Sequence, residues 1–314
     1  MPLISICIPA YKRIEFLKRL LDSIALQTFK DFEVIVTDDS PDENVKYLCD
    51  SYQGKYNISY FKNNQQLGTP ENWNEAIRKA NGEWIKLMHD DDWFHDANSL
   101  QSFAGAIKNN PGYSFFFSAY RNVYLDDKKE EDVFLNKFRY KLLLKNVSTL
   151  FSQNIIGPPS VTVHKNDVDI FYDKNLKWLV DIDFYMRYFG KCKPFYIDKV
   201  LVNVGLSSQQ VTKEVFRVKK IEVPENFYLL DKIGVWQLKN IYVYDAWWRF
   251  MRNLKIRTID DVRSGGYLNP LPAVLEKMIH FQNKIPSKVL NIGPFSKFFM
   301  LISFIKLFKK IGAP

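Results

Sequence analysis

The chain has 314 residues, 46% of them hydrophobic and 16% aromatic, which suits a packed core and excludes a disordered or low-complexity protein. That length holds one large α/β domain with an appended piece, or two modest domains. A formal net charge of +9 points to an anionic partner: a phosphate-bearing substrate, an anionic membrane or nucleic acid. Cys7, Cys49 and Cys192 are far apart and show no metal-finger or redox spacing, so they read as reduced thiols of a cytosolic protein. No basic segment and cleavage site precede the apolar run Leu3 to Ile8, and no secretory signal is expected.

That apolar run reads as a buried strand. Ile14, Leu17, Leu20, Leu21 and Ile24 then recur at helical spacing. Phe32 to Val36 is a second strand, ending on the turn cluster Asp38-Asp39-Ser40-Pro41, and Ile58 to Phe61 is a third. Thr69-Pro70-Glu71 looks like a helix start, with a capping hydroxyl and a proline at the first helical position; that helix runs to about Asn81-Gly82. Trp84 to Met88 is a fourth strand, ending on His89-Asp90-Asp91-Asp92. This β-α-β rhythm predicts a mainly parallel sheet with helices on both faces. Ligands of such sheets gather beyond the carboxyl ends of the strands. Three of those ends carry Pro9-Ala10-Tyr11-Lys12, Asp38-Asp39 and Asp90-Asp91-Asp92.

Further on, Phe115 to Ser118 and Val161 to His164 read as strands, with Asn154 to Ser160, containing Gly157-Pro158-Pro159, as a constrained loop between them. That loop is either turn punctuation or the rigid wall of a binding site. A helix over Trp178 to Phe189 carries Asp181 and Asp183 near its start, where carboxylates suit the helix dipole. Beyond about Ser207 a mostly helical extension is expected, with Trp247 and Trp248 as core or interface. From Glu276 onward seven lysines face one acid, Glu276 itself. Within that stretch Phe298 to Ile305 is apolar and bounded by Lys297 and Lys306. A spanning helix needs about 20 apolar residues, so this tail is expected to lie in an anionic membrane interface rather than cross it. The alternative is a helix packed on the domain or on a second subunit.

Adjacent carboxylates at a strand end can hold magnesium or manganese while leaving positions open for phosphate oxygens. Taken alone, an acidic triplet is more often a solvated turn. His89 and His95 flank the run and raise the option of zinc, but zinc sites favour thiolates or several imidazoles. Asp38 divides evenly between capping its turn and touching a ligand.

The order of motifs is more specific than any one of them. Ile4 to Arg13, Leu21 to Phe29, Phe32 to Ser40, Leu67-Gly68, Asn74, and Asn81 to Trp93 together resemble the family 2 glycosyltransferases of the GT-A fold, over roughly the first 110 residues and more weakly to about 205. The resemblance implies an α/β nucleotide-diphospho-sugar transferase that moves a sugar from a nucleotide-sugar donor to an acceptor hydroxyl with inversion, assisted by Mn2+ or Mg2+. Pro9 and Tyr11 would line the base and ribose pocket beside Arg13, Asp39 would bond the base, and Asp90 would contact the ribose. Asp91 would be the metal ligand, with Asp90 and Asp92 beside it as further candidates. Asp181 would be the general base, with Asp183 as the fallback. The chain departs from the family pattern at Lys12, at His89 in place of the first aspartate of the signature, and at Val180. It also lacks a late histidine within Val204 to Gln210.

The expected organisation is a transferase domain over 1–206, with a nucleotide-sugar half (1–110) and an acceptor half (111–206). A helical extension over 207–314 would follow, with a membrane-associating tail at about 294–311. A glycan or lipid-linked acceptor at the inner face of the cytoplasmic membrane follows from the same reading. A dinucleotide-dependent oxidoreductase would need a glycine-rich turn where Pro9-Ala10-Tyr11 stands. A nucleic-acid-binding protein is disfavoured by acidic strand ends that repel phosphates without a metal. An inactive nucleotide-sugar-binding relative is the remaining alternative.

Overall fold

A computed structural model describes residues 1–166, 170–207 and 216–308. The chain divides into two compact units. The first comprises Met1–Leu144, Ile155–Lys174 and Asp183–Gln210. The second comprises Lys145–Asn154, Asn175–Ile182 and Val211–Pro314.

The first unit is built on one sheet, nine-stranded among the described residues. Strands β1 (Ile4–Ala10), β2 (Phe32–Asp38), β3 (Ile58–Lys62) and β4 (Trp84–Leu87) are mutually parallel in the order β3-β2-β1-β4. β1 and β2 are buried along their whole length, as strands covered on both faces must be, and this accounts for their continuous apolar character. They are linked by helices α1 (Ile14–Ala25), α2 (Asn44–Asp50) and α3 (Glu71–Arg78). α1 sends Leu17, Leu20, Leu21 and Ile24 into the core, the spacing of a single apolar helix face.

Helix α3 starts differently from expectation. Pro70 is the residue at its N-terminal boundary, and no side chain caps it. The Thr69 hydroxyl is not needed, because the Gly68 and Pro70 carbonyls accept from the first-turn N–H groups of Asn72 (2.8 Å) and Trp73 (3.0 Å).

Beyond β4 the sheet becomes mixed. β5 (Trp93–Phe94), α4 (Ser99–Asn109), β6 (Phe115–Tyr124), β7 (Lys129–Val133), α5 (Lys137–Lys145), β8 (Thr162–Lys165), α6 (Val180–Phe189) and β9 (Phe195–Leu206) follow in the chain. β8 pairs antiparallel with both β4 and β6, whereas β9 runs parallel to β6. The far end of β9 pairs Asn203 with Trp93 and Val202 with Phe94. That pairing carries Gly205 to the end of β4.

The second unit is helical: α7 (Lys219–Ile233), α8 (Ile241–Asn253), α9 (Ile259–Ser264), α10 (Ala273–Asn283), α11 (Ser287–Leu290) and α12 (Gly293–Phe308). Trp247 and Trp248 are buried in its core with Phe227, Met251 and Met278. The apolar tail packs against this core along one face. α12 buries Ser296, Met300 and Ser303, the Trp248 indole N–H donates to Ser296 Oγ at 3.0 Å, and the Tyr244 hydroxyl meets Ser303 Oγ at 2.7 Å. Its other face leaves Phe295, Phe298, Leu301 and Ile305 exposed. Among the described residues no helix is long and apolar enough to cross a membrane. Ser208, Gln209 and Gln210, part of the stretch without the late histidine, and residues 309–311 of the expected tail lie outside the described residues.

Candidate functional site

The turn after β4 presents Asp90, Asp91 and Asp92 at 3%, 7% and 2% exposure, so it is not a solvated acidic turn. Three buried carboxylates in one turn are costly unless each has a partner, and the partners come from distant parts of the chain. Arg13, just after β1, donates Nε to Asp90 Oδ2 (3.2 Å), Nη2 to Asp90 Oδ1, and Nη1 to Asp91 Oδ2 (3.1 Å). Arg19 on α1 donates to the Asp91 carbonyl at 2.9 Å and stacks 3.8 Å from the centre of the Trp93 ring. The Gly205 N–H donates to Asp92 Oδ1 at 3.0 Å. Ser160 Oγ accepts from the His89 N–H at 2.9 Å, and the Ser160 carbonyl accepts from the fully buried Lys86 ammonium.

Arg13 makes the only side-chain ion pair with Asp90 and Asp91 among the described residues, so the turn keeps an excess of negative charge. Burial, and then the neighbouring Asp91 charge, push the Asp92 carboxyl well above the ordinary range. Burial also raises the Asp90 carboxyl, against the pull of Arg13. A divalent cation would relieve this crowding, and the donor set fits one. His89, Asp91 and Asp92 each offer a ligand atom, all within 4.8 Å of one another. Nε2 of His89 is buried with no hydrogen-bond partner. Burial lowers the imidazole to about 4, so it is neutral and able to ligate at neutral pH. Two carboxylates and one imidazole make a donor set for a divalent cation and differ from a thiolate-rich zinc centre. His95 stands apart from this set, with Nδ1 2.9 Å from Asn203 Oδ1.

The neighbouring strand ends form the rest of the edge. Asp38 serves its turn, accepting from the Ser40 N–H (2.7 Å), the Tyr60 hydroxyl (2.8 Å) and Lys62 Nζ (3.2 Å). The Asp39 carboxylate accepts from Asn63 Nδ2 (2.8 Å), Leu67 N–H (3.0 Å) and Gly68 N–H (2.8 Å), and so organises the 63–68 loop. Gly68 has φ +70°, a conformation that suits glycine in this turn. A polar groove of about 750 Å3 beside the loop is lined by Tyr60, Lys62, Asn63, Gln65, Leu67 and Lys79, among others. Pro9 is buried within β1, whereas Tyr11 is 38% exposed. Lys12, at φ 63°, donates its N–H to Ser40 Oγ at 2.7 Å, tying the first strand end to the second.

The two later aspartates sit in contrasting surroundings. Within the second unit, Asp181 accepts from Asn154 Nδ2 and from the Ile182 N–H, both at 2.8 Å. Burial raises its carboxyl to about 6 despite these donors. Just before it, the buried Glu225 carboxylate accepts three successive backbone N–H groups, those of Lys177 (2.8 Å), Trp178 (2.8 Å) and Leu179 (3.0 Å). Asp183, in the first unit, is ion-paired with Arg187 at 2.8 Å in i,i+4 register. Ser160, Gly205, Arg19, Lys86 and Glu225 were not singled out as site residues from sequence. Only Ser160 had a signal, at the end of the constrained Gly157-Pro158-Pro159 loop.

Residues 5–157 match the family model Glycosyl transferase family 2. A GalNAc(5)-diNAcBac-PP-undecaprenol beta-1,3-glucosyltransferase of Campylobacter jejuni is 32% identical over 124 residues, 37% of this chain and 38% of that protein. Abequosyltransferase RfbV of Salmonella typhimurium is 31% identical over 132 residues, 41% of this chain and 36% of that protein. The matches to these two relatives thus span less than two fifths of their own length. Among solved structures, S. aureus TarS 1-349 in complex with UDP-GlcNAc aligns with a TM-score of 0.56 at 16% identity, covering 98% of this chain and 91% of that one. The mannosyltransferase PcManGT from Pyrobaculum calidifontis, in complex with GDP-Man and Mn2+, aligns with a TM-score of 0.55 at 14% identity, covering 98% and 88%. At such identities the likeness establishes the fold. Residues 5–157 belong to glycosyl transferase family 2, and the fold that carries them is the GT-A fold of these transferases.

Proposed function

We propose that the chain is an inverting glycosyltransferase that moves a sugar from a nucleotide-diphosphate sugar to an acceptor hydroxyl in bacterial surface-glycan assembly. The observation that carries this reading is the buried acidic turn, Asp90 to Asp92 with His89, held at the carboxyl edge of parallel strands by Arg13 and Gly205. The family match supports the reaction class. The relatives, a GalNAc(5)-diNAcBac-PP-undecaprenol glucosyltransferase and an abequosyltransferase, support the surface-glycan setting. The UDP-GlcNAc bound by one fold neighbour and the GDP-Man and Mn2+ bound by the other support the donor and cofactor class.

In this reading residues 1–110 bind the donor and 111–206 serve the acceptor. Pro9, Tyr11, Arg13, Asp39 and Asp90 hold the nucleotide-sugar, while Asp91, with Asp92 and His89, holds a divalent cation. When bound, that cation offsets charge on the departing diphosphate. Arg13 fixes the spacing of Asp90 and Asp91 and presents a charged hydrogen-bond donor fork at the turn. Asp181 takes the proton of the attacking hydroxyl; its raised carboxyl is closer to neutrality than an ordinary aspartate, which suits a general base. Asp183, neutralised by Arg187, is the lesser candidate. The enzyme works at the inner face of the cytoplasmic membrane, which the exposed aromatics of α12 and the lysines around them suit.

The test is a thermal-shift panel of UDP, GDP, CDP and dTDP, each with and without manganese. A ligand that binds only the folded chain raises its melting temperature. One nucleotide should do so strongly and only with manganese; no response to any of the four would overturn the donor assignment.

A further inference from the structure

The second unit carries a recess of about 460 Å3 between α10 and α12, with Ile259 of α9 at its edge. Its floor is apolar, formed by Phe281 and Leu307, and its rim is cationic, with Lys277, His280, Lys284 and Lys306 against the single acid Glu276. Lys277, His280 and Lys284 follow one another at i, i+3 and i+7, so they line one face of α10 and its last turn. Lys306 reaches over from α12, with Nζ 5.4 Å from the centre of the Phe281 ring. Neighbouring lysines are neutralised, Lys297 by Asp245 and Lys219 by Asp261. Among the described residues Lys277, Lys284 and Lys306 form no ion pair, and no acid occurs anywhere in the sequence after Glu276.

Three lysines without an ion-pair partner around an apolar floor match a group that is both anionic and apolar. We propose that the recess binds the head of an anionic phospholipid, its phosphate among Lys277, Lys284 and Lys306 and its glycerol and first methylenes against Phe281 and Leu307. A free inorganic phosphate would answer the charge but leave the floor bare. The apolar face of α12 offers the adjoining contact, since Phe295, Phe298, Leu301 and Ile305 are exposed and suit burial at the headgroup boundary. The inference rests on the membrane location proposed above and is independent of sugar transfer.

The experiment is flotation of the full chain with phosphatidylglycerol and with phosphatidylcholine vesicles. It compares wild type, Lys277→Gln/Lys306→Gln, and the charge-matched Lys239→Gln/Lys288→Gln, whose lysines are exposed and outside the recess. Wild type should bind phosphatidylglycerol selectively. Two lysines at about 1 kcal/mol each make the recess variant weaker by roughly 30-fold, with the charge-matched variant well above it. Equal loss in both variants would overturn the recess while sparing the membrane location. Wild-type binding no better to phosphatidylglycerol than to phosphatidylcholine would overturn both. A thermal-shift arm compares monomeric dihexanoyl-phosphatidylglycerol with inorganic phosphate; a larger shift with the lipid supports the inference, and an equal or smaller one overturns it. Neither arm depends on nucleotide binding, so the donor assignment stands or falls separately.

Discussion

Gly205→Ala probes the packing that holds the acidic turn. The new Cβ would lie 2.3 Å from the Asp91 carbonyl oxygen and 3.3 Å from both the Asp91 carbonyl carbon and Arg19 Nη2. Ordinary contact begins near 3.4 Å, so Asp91 or β9 must retreat by about 1 Å, a misplacement that costs on the order of 100-fold in rate when it affects reacting geometry. Overpacking of this kind costs about 1–3 kcal/mol, or roughly 2–12 °C of melting temperature at about 2–4 °C per kcal/mol. The variant should therefore stay folded at 25 °C while losing manganese-dependent nucleotide affinity and about two decades of turnover. Gly105→Ala is the control, because a Cβ there meets nothing within 4 Å and alanine favours the helix by about 0.5–1 kcal/mol. The assays are nucleotide titration with manganese, donor turnover and a melting curve for both variants. Wild-type affinity and turnover in Gly205→Ala would refute the claim that β9 positions the acidic turn.

Asp181→Asn should bind donor and manganese as wild type yet transfer at least about a hundredfold more slowly, the range of a lost general base. Asp183→Asn should be milder, and transfer rate beside donor affinity separates the two. The folded Asp181 carboxyl lies near 6 and the base must be ionised, so transfer at saturating donor should fall as pH drops through about 6. A rate flat from pH 5 to 7, a window chosen about that pKa, would exclude Asp181 from this role. Glu225→Gln removes the charge from hydrogen bonds to three successive N–H groups, bonds worth about 1.5–3 kcal/mol when charge-assisted. It should lower the melting temperature and slow transfer without weakening nucleotide binding. Weakened nucleotide binding would show instead that Glu225 acts on the donor side.

The first four strands, and the acid-bearing ends of β2 and β4, were legible because buried strands read as apolar runs and polar clusters stand where those runs stop. The partners of the acidic turn were not legible, because they are brought in by tertiary pairing. Gly205 meets Asp92 across 113 residues and Ser160 meets His89 across 71, and neither residue type stands out locally. β6 was expected to end at Ser118 but continues to Tyr124, since its second half is only partly buried and is held by pairing with β7 and β9 rather than by apolar character. α12 is apolar on nearly every side, so periodicity could not show which face meets protein. Ser296 and Ser303 mark that face only through Trp248 and Tyr244, 48 and 59 residues away. Arg13 was read as a nucleotide-sugar contact in the opening turn, but its place between Asp90 and Asp91 came only with the fold.

The most direct measurement is turnover of a nucleotide-sugar by wild type and Asp91→Asn, each with and without manganese, alongside melting curves. The carboxamide keeps the shape of the aspartate but loses the charge that a hard cation needs. Wild type should consume one nucleotide-sugar in a manganese-dependent manner, and Asp91→Asn should melt near wild type and consume none. Equal, manganese-independent turnover by both proteins would contradict a cation-assisted transferase centred on the Asp90 to Asp92 turn.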